Sequence, residues 1–297
     1  MCGIVAYIGH KEAYPIIVKG LKRLEYRGYD SAGIALLNNG SLNVYKKQGK
    51  VANLEEYTTD KDRGGNSGIG HTRWATHGEP NDINAHPHFS EDEDLAIIHN
   101  GIIENYDSIK KELLSKGYTF RSDTDTEVLC YLINDIRKNT GTKLGEAVRL
   151  ALQQVIGAYA IVVISKSEPD KIIAARKSSP LVVGIGHDGD FYLASDATPI
   201  VEYTKKVVYM NDEEIAVLRA GEDMKLYGID DVEKTPYVQE LELHLEALEK
   251  GGYDHFMLKE IHEQPRSIED CFRGRMNAEK GWVSLGGIKE YEQKMVN

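Results

Sequence analysis

The sequence predicts an α+β domain built in layers, and two observations lead to this prediction. Segments rich in β-branched and aromatic residues, which favour strands, cluster at both ends of residues 1–237. Three helical segments lie between these clusters, from about residue 104 to residue 154. This order favours an α+β layered domain over a repeating βαβ array, in which each strand is followed by its own helix.

The first cluster opens with a strand at residues 3–8, where Ile4, Val5, Tyr7 and Ile8 favour extended backbone. An amphipathic helix follows over KEAYPIIVKGLKRLEYR (11–27), with Pro15 tolerated near its start, and we expect it to cover a sheet. Further strands are predicted at SAGIALL (31–37), LNVYKKQ (42–48), GIGHTR (68–73) and LAIIHN (95–100).

Helices are predicted at about 104–116, from Thr124 onward and at about 143–154. The second begins with a T-x-x-E capping box formed by Thr124 and Glu127. The second cluster of strands then comprises AYAIVVIS, KIIAARK, LVVGIG, FYLAS, KVVYM, EIAVLR and MKLYGI. We expect this domain to end near residue 237. Residues 238–297 are predicted to form a helical extension and linker. Helices are expected at 239–249 and at 254–276, the second interrupted by Pro265.

Composition excludes several classes of partner. The chain has 297 residues, with 36 Lys and Arg against 47 Asp and Glu, a formal charge of -11 that disfavours nucleic acid and anionic membranes. No segment approaches the roughly 18 apolar residues of a membrane span, and no basic leader precedes residues 4–8. Three cysteines without C-x-x-C spacing indicate neither a disulfide framework nor a zinc knuckle. We therefore expect a cytoplasmic protein.

Two loops at predicted strand ends carry a high density of reactive side chains: HTRWATHGEPN (71–81) and IIHNGIIENY (97–106). Five of the ten histidines lie in this region: His71, His77, His86, His88 and His99. Their spacing does not match the ligand patterns that zinc sites favour. The sequence predicts no metal and no organic cofactor, and these histidines read as solvent-facing or structural.

Taken alone, the candidate residues of these segments allow ordinary structural roles. Cys2, which becomes N-terminal if Met1 is removed, could be a small buried residue of the first strand. Asn100-Gly101 is typical of a turn after a strand. Asp125 reads as a first-turn helix acid, and Arg27 as a solvated cation at a helix end.

Six segments together carry a resemblance to a known family: MCGIVAYIG, LEYRGYDSAG, HTRWATHGEPN, NAHPH, HNGIIENY and SDTDTEV. In order and spacing they resemble the glutaminase domain of the glucosamine-6-phosphate synthase family, a class II glutamine amidotransferase. KEIHEQP (259–265) resembles the segment by which that family enters its sugar isomerase half. Amidophosphoribosyltransferases and asparagine synthetases share the leading Cys-Gly and an Asn-Gly but lack the second and third segments. The resemblance implies the four-layer αββα sandwich of N-terminal-nucleophile hydrolases.

The resemblance also implies roles for individual residues. Cys2 is expected to be the nucleophile, with its own α-amine as base through a water, since a thiol pKa of about 8.5 and an amine pKa of about 8 make proton exchange easy. The Asn100 side-chain amide and the Gly101 N–H would stabilise the oxyanion. Substrate-binding roles are implied for Arg73 (α-carboxylate), Asp125 (α-ammonium), Trp74, Thr76 and His77 (the loop over the substrate), and Arg27 and Gly28 (beside the nucleophile).

The implied reaction converts L-glutamine to glutamate and ammonia through a γ-glutamyl thioester on Cys2. In a full-length, homo-oligomeric enzyme the ammonia would reach fructose-6-phosphate through a sugar isomerase domain that we do not expect in this chain. Three alternatives stay open: the same hydrolase feeding another acceptor such as phosphoribosyl diphosphate, a non-catalytic glutamine-binding module if Met1 is retained, and an amidase for a different amide. The last would give no reason for both Arg73 and Asp125.

Overall fold

The computed structural model describes residues 2–75, 78–241, 252–273, 275–277 and 281–283. The chain divides into two units, Met1–Glu242 and Leu243–Asn297. Two antiparallel sheets form the centre of the first unit. Its strands in chain order are β1 (Gly3–Ile8), β2 (Ser31–Asn38), β3 (Ser41–Gln48), β4 (Ser67–Arg73), β5 (His88–Phe89), β6 (Leu95–Ile103), β7 (Gly157–Ser165), β8 (Ile172–Lys177), β9 (Val182–Ile185), β10 (Phe191–Ala194), β11 (Lys206–Tyr209), β12 (Glu214–Leu218), β13 (Lys225–Gly228), β14 (Glu233–Lys234) and β15 (Gln239–Glu240).

Within the described residues, the first sheet has eight strands in the order β15-β11-β9-β10-β1-β4-β2-β3. The second has seven strands in the order β14-β13-β12-β8-β7-β6-β5. The helices described in this unit are α1 (Ala13–Leu24), α2 (Val51–Tyr57), α3 (Tyr106–Ser115), α4 (Asp125–Thr140) and α5 (Leu144–Leu152), with a 3₁₀ turn at Glu25–Arg27.

These elements stack in four layers. One apolar cluster joins the facing sides of the two sheets and includes Ile4, Ile69, Ile98, Val162 and Leu193. A second cluster joins α4 and α5 to the outer side of the second sheet, and α1 covers the outer side of the first. Because each sheet buries one face against the other sheet and one against helices, the architecture is the predicted αββα sandwich.

Helix α1 confirms the predicted amphipathic helix and lies very close to β4. A Cβ added at Gly70 would lie 2.3 Å from Ile17 Cγ2 and 3.0 Å from Leu21 Cδ1, both fully buried side chains. Glycine at this position therefore lets the helix seat directly on the strand. Pro15 lies in the first turn, where its missing N–H costs no intrahelical hydrogen bond.

The capping box at α4 is half formed. The Thr124 hydroxyl accepts the Glu127 N–H at 3.3 Å, as predicted. The Glu127 carboxylate, however, accepts from the Ser122 N–H at 2.7 Å and the Arg121 N–H at 3.1 Å instead of reaching back to Thr124. The Thr124 N–H donates to the Ser122 hydroxyl, so a short loop network replaces the reciprocal bond.

Two predictions about secondary structure need correction, and one helix was missed. Helix α2 was not predicted, since its seven residues carry too short an apolar pattern. Gln239–Glu240, predicted as helix, form the edge strand β15 because they pair with Lys206–Val207, while residues 242–249 of that prediction lie outside the described residues. In the second unit, α6 (Phe256–Phe272) runs through Pro265 without the predicted interruption. A proline removes one N–H donor, and the helix on both sides of Pro265 tolerates that loss.

The second unit also contains β16 (Met276–Asn277) and β17 (Trp282–Val283), which pair with each other.

None of the helices in the described parts of the chain is long and apolar enough to cross a bilayer. The three cysteines are free thiols: Cys130 is buried in α4, Cys271 is exposed on α6, and Cys2 is partly buried.

Candidate active site

Cys2 directly precedes β1, a strand in the interior of the first sheet. β1 pairs with β4 on one side and with β10 on the other, and the Ile4 N–H donates to the Ser195 hydroxyl at 3.1 Å. The Cys2 Sγ accepts the Trp74 N–H at 3.2 Å. Burial raises the pKa of the Cys2 thiol, while the Trp74 N–H and the Arg73 charge act in the opposite direction. The thiol is thus held in a fixed position and in its protonated form near neutral pH.

Asn100 and Gly101 lie within β6, so they do not form the turn that is typical of an Asn-Gly pair after a strand. The ladder with β7 continues past them to Ile103 and Gly157, which keeps the backbone extended. Asn100 Nδ2 donates to the Cys2 carbonyl oxygen at 3.0 Å. Gly101 has a φ of 138°, and a Cβ there would lie 2.0 Å from the Ala158 carbonyl oxygen. This position therefore requires glycine.

Arg73 and Asp125 occupy the ends of two elements beside Cys2. Arg73 is the last residue of β4 and is only 5% exposed, with its guanidinium 3.4 Å from the Gly78 carbonyl oxygen. Burial lowers the pKa of Arg73, and the charges of neighbouring acidic groups, Asp125 among them, oppose that shift. Asp125 is the first residue of α4, and its Oδ2 accepts the Ile103 N–H at 2.9 Å. This bond ties the helix N-terminus to the strand that carries Asn100.

Asp30, through its backbone and its carboxylate, and the close approach of Gly28 fix the segment after Arg73. The Asp30 N–H donates to the Arg73 carbonyl at 3.0 Å, and the Asp30 carboxylate accepts the Ala75 N–H at 2.8 Å. A Cβ at Gly28 would lie 2.7 Å from the Arg73 carbonyl carbon and 2.9 Å from the Trp74 nitrogen. Glycine at 28 therefore permits this close approach, which sets the position of the Trp74 N–H at the thiol.

The other residues of the predicted loop differ in their placement. The Trp74 ring packs edge-on against Tyr29, with centroids 5.4 Å apart. Thr76 and His77 lie outside the described residues. The Arg27 guanidinium faces the Ser195 carbonyl at 3.3 Å and Asp196 Oδ2 at 3.6 Å, and Arg27 is not among the described residues that line the pocket beside Cys2. Arg27 is also mostly buried, unlike a solvated helix-end cation.

One pocket brings six of the predicted residues together: Cys2, Arg73, Trp74, Asn100, Gly101 and Asp125. Four further residues line it that sequence reasoning did not assign to the site: His86, His99, Thr124 and Thr126. The sequence did not single out these four residues, because a histidine or threonine in these segments can have several structural roles. Only their position next to residues already implicated, such as Thr124 and Thr126 around Asp125, could have identified them.

Four of the five clustered histidines form a buried group, of which His86 and His99 line the pocket: His71, His86, His88 and His99. The rings of His71 and His86 are 4.3 Å apart, and those of His86 and His88 are 4.9 Å apart. Burial lowers the pKa of all four, that of His71 to about 3, so the group is neutral near pH 7. They are therefore structural and not solvent-facing. Among the described residues, no group of three His, Cys, Asp or Glu side chains is arranged to hold a metal ion.

The pocket thus combines three chemical features. It offers a thiol, amide donors beside that thiol, and a cation and an anion a short distance away. Donors beside a nucleophile suit attack on a carbonyl group, where negative charge develops on oxygen. A buried guanidinium and a carboxylate suit the two ends of a zwitterionic amino acid.

Comparisons with known proteins agree with this geometry. A family model described as a glutamine amidotransferase domain matches residues 55–236. The chain is 61% identical over 298 residues to glutamine–fructose-6-phosphate aminotransferase (isomerizing) of Bacteroides thetaiotaomicron, covering 100% of this chain and 48% of that protein. It is 55% identical to the protein of the same name from Chlorobaculum tepidum, covering 99% of this chain and 48% of that one. The chain spans about half the length of these curated relatives.

Among solved structures, the chain is similar to glutamine phosphoribosylpyrophosphate amidotransferase from B. subtilis in complex with ADP and GMP. The TM-score is 0.65 and the identity 28%, over 77% of this chain and 49% of that chain. This likeness confirms the predicted fold class, the sandwich of the N-terminal-nucleophile hydrolases.

Proposed function

The chain belongs to the glutamine amidotransferase domain family, and on that premise we propose that its Cys2 pocket hydrolyses the side-chain amide of L-glutamine. The observation that carries the proposal is the convergence of a fixed thiol with the Asn100 amide, which donates to the Cys2 carbonyl at 3.0 Å. The Gly101 N–H follows on the same strand. No metal or organic cofactor enters the reaction that we propose.

The chemistry proceeds in two steps. The Cys2 thiolate attacks the side-chain carbonyl carbon of glutamine, and the Asn100 Nδ2 and the Gly101 N–H stabilise the oxyanion. The proton of the thiol passes through the Cys2 α-amine to the leaving nitrogen, so ammonia departs and a γ-glutamyl thioester remains. Water then adds to the thioester, the carbon–sulfur bond breaks, and glutamate leaves as the thiol recovers its proton.

Two charged groups of the pocket would bind the amino-acid end of glutamine. The Arg73 guanidinium would bind the α-carboxylate, and the Asp125 carboxylate would bind the α-ammonium. Trp74, Thr76 and His77 would fold over the bound substrate. Gly28 would contribute through the backbone of the Trp74 segment, and Arg27 from its position beside Ser195.

The base in this scheme exists only when Met1 is removed. Small second residues permit that removal, and Cys2 is one of them. A chain that retained Met1 would lack the free α-amine beside the thiol and would bind glutamine without efficient turnover. Intact mass therefore has to accompany every activity measurement.

The acceptor of the ammonia is proposed from the relatives. The names of the two curated relatives above include fructose-6-phosphate, whereas the phosphoribosylpyrophosphate amidotransferase is only 28% identical. We propose that residues 1–237 form the glutaminase domain and that 238–297 lead toward a sugar isomerase domain of a homo-oligomeric enzyme. Its ammonia would then aminate fructose-6-phosphate. Free thiols favour a reducing compartment, in agreement with a cytoplasmic location.

The direct test is to follow glutamate and ammonia from L-glutamine with purified protein of verified intact mass. L-Asparagine, one methylene shorter, is the matched control substrate, because its amide would not reach the thiol while Arg73 and Asp125 hold the amino-acid end. We expect equimolar glutamate and ammonia from glutamine, little turnover of asparagine and none with Cys2→Ala. Equal rates on both amides, or a full rate in Cys2→Ala, would refute the proposal.

A further inference from the structure

His71, a residue of β4, contacts Asn100, the proposed oxyanion donor. His71 Nε2 is 2.9 Å from Asn100 Oδ1. The other amide atom, Asn100 Nδ2, is 3.0 Å from the Cys2 carbonyl oxygen. The Asn100 amide is therefore held from both sides, by a neighbour on the sheet of Cys2 and by Cys2 itself.

The chemistry of these atoms fixes the positions of the protons. A backbone carbonyl oxygen can only accept, so the atom that faces Cys2 must be the amide nitrogen of Asn100. The atom that faces His71 is then the amide oxygen, which also only accepts. His71 Nε2 must consequently donate, and the ring must be the neutral tautomer with hydrogen on Nε2, or else the imidazolium.

The surroundings of His71 select the neutral ring. The residue is 1% exposed, and its ring packs against that of His86 in a tilted arrangement with centroids 4.3 Å apart. Burial lowers the pKa of His71 to about 3 and outweighs the hydrogen bond to Asn100, which raises it; the charges of His99 and Arg73 lower it further, and the His99 backbone raises it. A neutral Nε2–H donor is thus available over the whole physiological pH range.

We propose that His71 is a positioning residue that orients the Asn100 amide so that Nδ2 points at the reacting carbonyl oxygen. The role rests on the proposed glutaminase function. Without His71 only the bond to the Cys2 carbonyl would hold the amide, so rotation about its terminal bond, which presents the acceptor Oδ1 to a developing negative charge, would cost less free energy. Binding of the amino-acid end of glutamine does not involve this bond, because Arg73 and Asp125 hold that end.

Kinetics of matched variants test the role. His71→Leu removes the donor, and we expect kcat to fall about 10- to 100-fold with the KM for glutamine nearly unchanged, a smaller loss than that of the donor itself. His71→Gln keeps an N–H in reach and should recover most of the rate. His88→Leu is the control, since His88 lies in the same buried group but its Nε2 bonds to Thr124 Oγ1 at 2.9 Å. An equal loss of kcat in His71→Leu and His88→Leu would contradict the proposal.

A double-mutant cycle separates positioning from general destabilisation. In an Asn100→Ala background the amide is gone, so His71→Leu should lower kcat less than twofold further. Multiplicative losses would show that His71 acts independently of Asn100 and would overturn the inference.

The wild-type protein gives a readout that needs neither turnover nor a variant. In protein labelled with ¹⁵N-histidine, two-bond nitrogen–proton correlations distinguish the tautomers, and we expect His71 to be Nε2–H from about pH 6 to about pH 8. An Nδ1–H tautomer or an imidazolium would overturn the inference. Because this measurement does not depend on catalysis, an inactive protein would refute the proposed function alone.

Discussion

The two ends of the Cys2 pocket are built in different ways. At the reacting end, Cys2 adjoins an interior strand of one sheet, and Asn100 and Gly101 lie on an interior strand of the other. At the recognition end, Arg73 is the last residue of β4 and Asp125 the first residue of α4. Asn100 and Gly101 are thus fixed by their ladder with β7, and Cys2 by its place directly before the paired strand β1, whereas the recognition end carries charge at the termini of elements.

The difference separates two kinds of catalytic contribution. Residues held by ladders can present donors at a fixed distance, which stabilises the transition state more than the bound substrate. In the proposed function, charges at element ends would bind the part of glutamine that does not react, so they would act on the bound substrate and the transition state alike. Substitutions at the reacting end should therefore change kcat, and those at the recognition end should change KM.

The largest effect is expected at Asn100. We predict that Asn100→Ala lowers kcat by roughly 10²- to 10³-fold at a nearly constant KM, the usual cost of one lost oxyanion donor. Asn105→Ala is the control, because Asn105 follows the same strand but bonds to Gln154 and Ile156. Steady-state kinetics of both variants measure kcat and KM separately. A raised KM with unchanged kcat in Asn100→Ala would place Asn100 at the recognition end.

A smaller effect is expected from the two charges. Arg73→Lys removes the planar fork, and Asp125→Asn removes the charge while keeping an acceptor for the Ile103 N–H. We predict that each raises KM about 10- to 100-fold with little change in kcat, as expected for one charged hydrogen bond of about 1.5–3 kcal/mol. Arg63→Lys and Asp107→Asn, a cation away from the pocket and an exposed acid in the first turn of α3, are the controls. Wild-type KM in both site variants would contradict the comparison.

A third effect concerns the stability of the scaffold behind the reacting end. The pKa values of the four buried histidines are lowered in the folded state, so below about pH 6.5 the unfolded chain binds more protons than the folded one. Stability is therefore complete above about pH 6.5 and falls as the pH decreases. Each such histidine contributes a loss of up to about 1.4 kcal/mol per pH unit.

Urea unfolding at about pH 7 and about pH 5.5 measures this slope. We expect His88→Leu to flatten the pH dependence of the unfolding free energy by about one proton, and His187→Gln, at an exposed position, to leave it unchanged. An unfolding free energy that does not fall between these pH values in the wild-type protein would contradict the assignment.

Much of the fold could be predicted from local signals. β-branched runs marked nearly all of the long strands, and Thr124 marked the start of α4. Prediction from the local sequence failed where pairing with distant residues determines the structure. Asn100-Gly101 has the composition of a turn, but pairing with β7 keeps it extended. Gln239–Glu240 likewise became a strand because β11 offered an open edge.

The site was accessible from the sequence only in part. The charged residues and the thiol were identified because six segments in register resembled one family. The role of the histidines was not identified, because the solvent exposure of each residue depends on which sheet face it occupies. His86 and His88 lie on either side of Pro87 in the sequence. Only the packing of the two sheets places both in one buried group with His71.

The central claim is that Cys2, of the three thiols, attacks the substrate, and covalent labelling tests it most directly. The protein is incubated with 6-diazo-5-oxo-L-norleucine, a glutamine-like electrophile, with and without excess L-glutamine, and the adduct is mapped by peptide mass spectrometry. We predict a single adduct at Cys2, suppressed by glutamine, with loss of turnover in proportion to labelling. Adducts at the buried Cys130 or the exposed Cys271 in place of Cys2, or labelling of Cys2 that glutamine does not suppress, would contradict the account.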